Sequence, residues 1–361
     1  MAVHSLATTN FRNLKPGTVA FGPGANIFHG GNGSGKTNLL EAIFTACLGR
    51  SQRGAADMVL LNEAAEYYRL EGSISARGST RKVAVAYQRG GRKKITIDTA
   101  PARASELFEL SSLVAAGPED SEILSGPPST RRLFLDLYLS MNRPTYLADL
   151  NDYSKALAQK NSALKQEIDA TPFDPLLIRH GSRIMLERAS YLSALGNWAV
   201  GLYARVTEGE ELVVEYEPRV PFRLGEMDEA DIAATFEAEI ARNARREQAM
   251  QTSLVGPHRD EVKFSICGLP ARTHGSQGQW RAAAVALKLA VYELLREKRG
   301  EAPVLLLDEI FAELDTDRTH RLMECFGDLG QVFLTTAAEP PEPLMQQARR
   351  FQIRNGEVVE E

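Results

Sequence analysis

The run Gly30-Gly31-Asn32-Gly33-Ser34-Gly35-Lys36-Thr37 follows the spacing Gly-x-x-x-x-Gly-Lys-Ser/Thr, with a lysine and a hydroxyl after a glycine-rich loop. Glycines there permit positive φ, so successive backbone N–H groups converge on one anion, and the start of a following helix adds its positive end. The chemistry is that of a polyphosphate: Lys36 reaching the β- and γ-phosphates, and Thr37 supplying a hydroxyl to Mg²⁺. Such a loop needs a second strand that carries carboxylates. Val304-Leu305-Leu306-Leu307-Asp308-Glu309 supplies it, an apolar run ending in two acids at the edge of a parallel sheet where ligands bind. Asp308 is expected in the magnesium shell, and Glu309 as acceptor of the proton from the attacking water.

These residues must be held by strands and helices. Leu6, Val19, Phe21 and Ile27 mark short strands before the glycine loop, and Leu39, Leu40, Ile43, Phe44 and Leu48 predict an amphipathic helix after it. Val83–Tyr87 and Ile95–Ile97 predict a β-hairpin around a basic Gly90-Gly91 turn. From Pro144 the pattern changes. Tyr146, Leu150, Tyr153, Leu157, Leu164 and Ile168 recur at spacings of four and three, with one step left polar at Lys160 and Asn161. After Thr171–Pro175 a second series follows, Leu177, Ile184, Tyr191, Leu195, Trp198 and Leu202, so the two read as a short antiparallel helical hairpin or as two ordinary core helices. A further helix is expected from Asp228 to Met250, with Arg242, Arg245 and Arg246 near its end, where cations suit either the helix dipole or a phosphate backbone. Strand and helix alternation returns with Val262–Ile266, the helix Gly278–Glu297, Val304–Leu307 and Gln331–Thr335. Two domains are expected, one inserted in the other: 1–116 plus 256–361, and a mostly helical lobe at 117–255.

Lys and Arg total 42 against 47 Asp and Glu, a net charge of −5, which excludes a globally basic nucleic-acid binder and leaves any DNA contact to local patches. The 43% hydrophobic and 25% charged content excludes a disordered or fibrous chain. Cys47, Cys267 and Cys325 are odd in number and far apart, and read as buried thiols of a reducing compartment. The longest purely apolar stretch, Ala302–Leu307, falls far short of the roughly 20 residues of a membrane-spanning helix, and Met1–Arg12 lacks the features of a secretory signal. A soluble cytoplasmic protein is the expectation.

Phe11-Arg12-Asn13 before the glycine loop, Gly31–Ile43 around it and Asp308-Glu309 far downstream resemble the SMC-like branch of the ATP-binding-cassette (ABC) superfamily. Within that branch the chain is similar to the bacterial RecF recombination mediators. The residues that carry the similarity are Gly126-Pro127-Pro128, Arg131–Asp136, Tyr153, Gln159–Asn161, Gly256-Pro257-His258-Arg259-Asp260-Glu261 and Ser276-Gln277-Gly278-Gln279. The resemblance implies an α/β fold, a P-loop ABC-type ATPase head with an inserted helical-hairpin lobe and no long coiled coil. Ser276, Gly278 and Gln279 then stand at the cassette signature, which completes the nucleotide site of a second subunit, and Asp315 in the loop that packs across the same dimer interface. Arg12 and Asn13 join the nucleotide-binding set.

The implied activity is slow ATP hydrolysis with Mg²⁺, in a homodimer that closes on DNA at single-strand gaps or junctions and releases it on turnover. The implied setting is DNA replication, recombinational repair and the DNA-damage response, with RecR and RecO as partners and no membrane. Local basic clusters, Arg92-Lys93-Lys94, Arg131-Arg132 and Arg242-Arg245-Arg246, are the candidate DNA contacts. Two positions depart from the superfamily pattern: Thr335 and Thr336 stand where a histidine contacts the γ-phosphate, and no glutamine loop is evident near Gly117–Asp120. The competing readings are a nucleotide-gated scaffold whose hydrolysis is incidental and the ATPase subunit of a transporter. His258 reads as a structural turn residue.

Overall fold

Apolar runs from both ends of the chain meet in two six-stranded sheets of one compact unit, Met1–Asp120, Arg205–Gly209 and Ala284–Glu361. The computed structural model describes residues 1–311, 321, 322, 324, 329–337 and 348–361. One sheet is antiparallel and contains β1 (Ala2–Thr9), β2 (Gly17–Ala20), β4 (Tyr67–Ala76), β5 (Ser79–Gln88), β6 (Lys94–Ile97) and β7 (Ala100–Pro101), in the order β2-β1-β4-β5-β6-β7. The expected hairpin is β5 with β6, registered Val83 to Ile97 and Val85 to Ile95.

The second sheet contains β3 (Ala25–His29), β8 (Leu113–Ala116), β12 (Val304–Asp308), β13 (Val332–Thr336), β14 (Arg349–Arg354) and β15 (Glu357–Glu360), in the order β15-β14-β3-β13-β12-β8. All its pairings are parallel except β14 with β15. β12 and β13 are buried along their whole length, which is why both read as continuous apolar runs. Phe21, Phe28, Phe333 and Phe351 pack beside them, with ring centroids 4.9 Å apart for Phe21–Phe333 and for Phe28–Phe351. The register pairs Asp308 with Thr335 and Thr336 with His29, so β3, β13 and β12 end side by side.

The other compact unit is Ser121–Ala204 with Glu210–Ala283. It is built from the helices Pro128–Asn142, Pro144–Lys165, Asp174–Val206 and Glu229–Met250, and from a small antiparallel sheet of β9 (Leu212–Glu217), β10 (Glu261–Ile266) and β11 (Leu269–Pro270). The lobe therefore reaches Ala283 rather than ending at 255, because β10 pairs with β9 and carries the following segment with it. The helical hairpin forms and is antiparallel: Lys160 meets Asp174, Asp149 meets His180 and Arg143 meets Glu187. Its seam differs from the expected one. Lys160 is buried between Asp174 and Glu247, at 2.7 and 2.8 Å, whereas Ile168 lies beyond the helix end and is exposed, as is Trp198. A lysine can occupy a seam when two carboxylates replace its water.

The cysteines also differ. Cys47 is buried, and burial pushes its thiol up to about 12, but Cys267 is exposed in the turn between β10 and β11. Cys325 lies outside the described residues. Among the described residues no helix is long and apolar enough to cross a membrane.

Candidate nucleotide site

β3 ends at His29, and the glycine loop turns from it into the helix Lys36–Leu48. Gly35 has φ +116°, and a Cβ there would press on Asn13 Oδ1 at 3.1 Å. A Cβ on Gly30 would come within 2.4 Å of the Ile353 carbonyl oxygen, so neither position has room for a side chain. No side chain caps the helix, which leaves its first N–H groups facing the loop, and the Ser34 hydroxyl is buried without a partner. Uncapped N–H groups and an orphaned hydroxyl around a glycine cradle fit an anion.

The two motifs meet here. Lys36 Nζ donates to the carbonyls of Gly30 and Gly31, at 2.9 and 3.3 Å, and forms an ion pair with Glu309 at 3.1 Å. Thr37 Oγ1 donates to Asp308 Oδ1 at 3.0 Å. Glu309 takes φ +49°, a left-handed conformation uncommon outside glycine, and this turns the chain sharply after β12. Thr335 Oγ1 donates to Asp308 Oδ1 at 2.6 Å and accepts from the Glu309 N–H at 3.2 Å. Thr335, one of the two threonines noted after this strand, is thus bonded to the Asp308 carboxylate and to the Glu309 backbone.

Arg12 and Asn13 sit behind the loop. Arg12 donates through Nε and Nη2 to the fully buried Glu41, at 3.0 and 3.3 Å, and Ser51 Oγ donates to the same carboxylate at 2.6 Å. Asn13 Nδ2 donates to the Gly33 carbonyl at 3.1 Å, and its Oδ1 accepts from Asn38 at 2.8 Å. No spacing or motif in the sequence points to Glu41 and Ser51 as bracing residues. The Asn355-Gly356 turn also reaches the loop, its Gly356 N–H donating to the Ser34 carbonyl at 2.8 Å; an Asn-Gly pair between two strands is its signal. The segment lacking a glutamine still reaches the site, since a Cβ on Gly117 would lie 3.3 Å from Asp308 Cβ. Asp120 holds that segment by accepting from the Gly117 N–H at 2.8 Å and pairing with Lys288 at 2.7 Å.

Ser276 and Gln279 form a reciprocal helix cap in the other unit: Ser276 N–H donates to Gln279 Oε1 at 3.0 Å and Gln279 N–H to Ser276 Oγ at 3.2 Å. Gly278 lies in the first turn of that helix, Gln277–Arg299. Asp315 lies outside the described residues.

The chain matches the family described as RecF/RecN/SMC N terminal domain over residues 2–356. It is 33% identical to the DNA replication and repair protein RecF of Geobacillus kaustophilus and 32% identical to that of Staphylococcus epidermidis. The first match covers 99% of both chains, and the second 99% of this chain and all of the relative. This chain belongs to the RecF family. Two solved structures of the recombination mediator protein RecF in the RecFOR pathway, with ATP and with ATPrS, superpose on it at TM-scores of 0.91 and 0.89. They are 31% and 32% identical, and the matches cover 99% of this chain and 97% and 98% of theirs. An Smc head, 16% identical with TM-score 0.57, shares the fold, covering all of this chain and 98% of its own.

The RecF-like motifs of the helical lobe are largely structural. Arg131 is buried, pairs with Glu261 at 2.7 and 2.9 Å and donates to the Gly126 carbonyl, so it does not present a cation to DNA. Arg188 is buried among Asp136, Tyr146, Asp260 and the Pro257 carbonyl. Asn161 Oδ1 accepts from the Ser253 N–H at 2.7 Å. Tyr153 OH meets His258 Nδ1 at 2.7 Å, and His258 Nε2 meets the Ser253 carbonyl at 3.2 Å, so both ring nitrogens are engaged within this unit.

Proposed function

We propose that this chain is an ATP-dependent DNA replication and repair protein that hydrolyses ATP slowly with Mg²⁺ at the Gly30–Thr37 loop. The observation that carries the reading is the convergence of Lys36 and Thr37 on Glu309 and Asp308 from opposite ends of the chain. Gly30, Gly31, Asn32, Gly33, Ser34, Gly35 and Lys36 would cradle the phosphates, with Arg12 and Asn13 bracing the loop. Thr37 and Asp308 would hold the metal. Two protein ligands suit Mg²⁺, which keeps waters and phosphate oxygens as its other ligands, and among the described residues no three-ligand metal cluster exists. Bound Mg²⁺ supplies charge neutralisation on the phosphates. Lys36 would exchange its carbonyl partners and Glu309 for phosphate oxygens, which frees Glu309 to accept a proton from water.

Ser276, Gly278 and Gln279, with Asp315, would complete the site of a second copy, so ATP would drive a homodimer that closes on DNA. RecR and RecO are the protein partners this reading implies, since the solved relatives are described in the RecFOR pathway. The absent histidine and glutamine support slow, switch-like turnover. Sedimentation with and without ATP, on wild type and Lys36→Met with a gapped duplex, tests the reading. ATP should shift wild type to a dimer with tighter DNA binding and leave Lys36→Met monomeric; no shift in wild type refutes it.

A further inference from the structure

The helical unit carries a second feature unrelated to the P-loop: a pocket of about 240 Å³ lined by Arg219, Arg246, Leu254 and Arg259. Its arginines come from three segments. Arg219 follows β9, Arg246 lies near the end of the helix Glu229–Met250, and Arg259 closes the turn Pro257–Arg259. All three are exposed, and no carboxylate among the described residues forms an ion pair with any of them. Several other cations of this unit are paired with acids: Arg131 with Glu261, Arg188 with Asp136 and Asp260, Arg242 with Glu239 and Lys263 with Glu217. In a chain of net charge −5, three guanidiniums without an acidic partner around one pocket concentrate positive charge, and an anion placed among them relieves their repulsion.

The cluster is held in place. The Arg219 N–H donates to Asp260 Oδ1 at 2.8 Å. Arg259 donates to the Ser253 carbonyl at 2.9 and 3.2 Å. Glu247, next to Arg246, is buried and accepts from Ser253 Oγ and the Leu254 N–H, at 3.1 and 2.7 Å. Two buried acids, Asp260 and Glu247, thus fix the backbone around all three arginines without facing the pocket as counterions. His258 beside them is pushed down to about 4 by burial, with Arg259 and Arg132 adding to the effect, so at neutral pH the positive charge comes from guanidiniums alone.

We infer that Arg219, Arg246 and Arg259 form a site for a phosphodiester group of a nucleic-acid backbone. Guanidinium forks match the non-ester oxygens of phosphate in geometry and charge. Among the described residues no aromatic side chain lines the pocket, and Leu254 is its one apolar lining residue, so they offer neither a platform for stacking bases nor a deep slot for a peptide anchor. The contact is therefore independent of base sequence. This inference rests on the reading that the chain binds DNA, and it gives that binding a place on the helical lobe. The sequence clusters contribute only in part, since Arg246 joins Arg219 and Arg259 rather than its neighbour Arg242.

The test is titration of a fluorescent gapped duplex with the full-length protein and ATP, followed by anisotropy from about 50 to 200 mM salt. Arg219→Gln/Arg246→Gln changes two exposed side chains, and unchanged binding of a fluorescent ATP analogue shows that the variant is folded. Its DNA affinity should fall about tenfold at 0.1 M salt, and the slope of log affinity against log salt should shrink by about one to two, equally for unrelated sequences. Arg219→Lys/Arg246→Lys should keep most of the slope. Wild-type affinity and slope in the glutamine variant overturn the site while leaving DNA binding standing, and a loss confined to one sequence overturns it in favour of base readout. Absence of DNA binding by wild type defeats both the DNA reading and this site.

Discussion

Thr335 carries a consequence at the scale of single residues. Its hydroxyl donates to Asp308 and accepts from the Glu309 N–H, so one side chain fixes the Asp308 carboxylate and the backbone that carries Glu309. Hydrogen bonds to a charged group contribute about 1.5–3 kcal/mol. Thr335→Val keeps the β-branched shape that the buried strand requires and removes only the hydroxyl. ATP hydrolysis should fall about tenfold or more while ATP affinity changes less than about threefold, measured by phosphate release and by fluorescent-nucleotide titration. Unchanged turnover would leave Thr335 as a strand residue only. Lys36, Thr37, Asp308 and Glu309 were legible in the sequence because each belongs to a short run with its own chemistry. Thr335 was visible only as a departure, since its role is set by the register of β13 against β12, and register is a property of the folded sheet.

At the scale of elements, the same contrast separates what periodicity revealed from what it missed. Spacings of three and four located both arm helices, but they placed Ile168 in the seam and left Lys160 as a polar interruption. Burial follows charge pairing as well as apolarity: Lys160 is enclosed because Asp174 and Glu247 approach it from other segments. The turn Gly256–Asp260 was legible as a motif but not as a keystone. Gly256 takes φ +124°, and a Cβ there would stand 2.3 Å from Tyr153 OH and 2.8 Å from the Phe236 ring. His258, in the same turn, has its pKa lowered to about 4, first by burial. The folded imidazole stays neutral where the unfolded one, near 6.5, takes up a proton, so the unfolded chain binds more protons in that window. Stability contributed by this turn is complete above about pH 6.5 and is lost as pH falls toward 4, at up to about 1.4 kcal/mol per pH unit. Urea midpoints between pH 4 and 8 should show that loss in wild type, and the stability of wild type relative to His258→Gln should fall as pH drops from about 6.5 toward 4. A pH-independent difference would assign the acid lability to other groups.

For the whole molecule, a net charge of −5 and a proposed half-site in each copy lead to one experiment. A chain with net negative charge gains little from long-range attraction to DNA, so nucleotide-driven pairing of local basic sites is the means proposed for binding. If Ser276, Gly278 and Gln279 complete the P-loop of a second copy, defects in the two halves must complement across subunits. Lys36→Met removes the phosphate lysine, and Ser276→Arg places a bulky cation at the exposed helix start. Neither variant alone should dimerise with ATP or hydrolyse it. Mixed in equal amounts they can form a heterodimer in which one site joins the intact loop of the Ser276→Arg copy to the intact signature of the Lys36→Met copy. The mixture should recover ATP-dependent sedimentation as a dimer and a measurable fraction of wild-type phosphate release, while ATP binding by the Ser276→Arg monomer stays near wild type. A self-contained site would instead leave Ser276→Arg active by itself. Defects that persist equally in the mixture and in the separate variants would count against the shared-site dimer, and the sedimentation profile of the mixture reads out these alternatives directly.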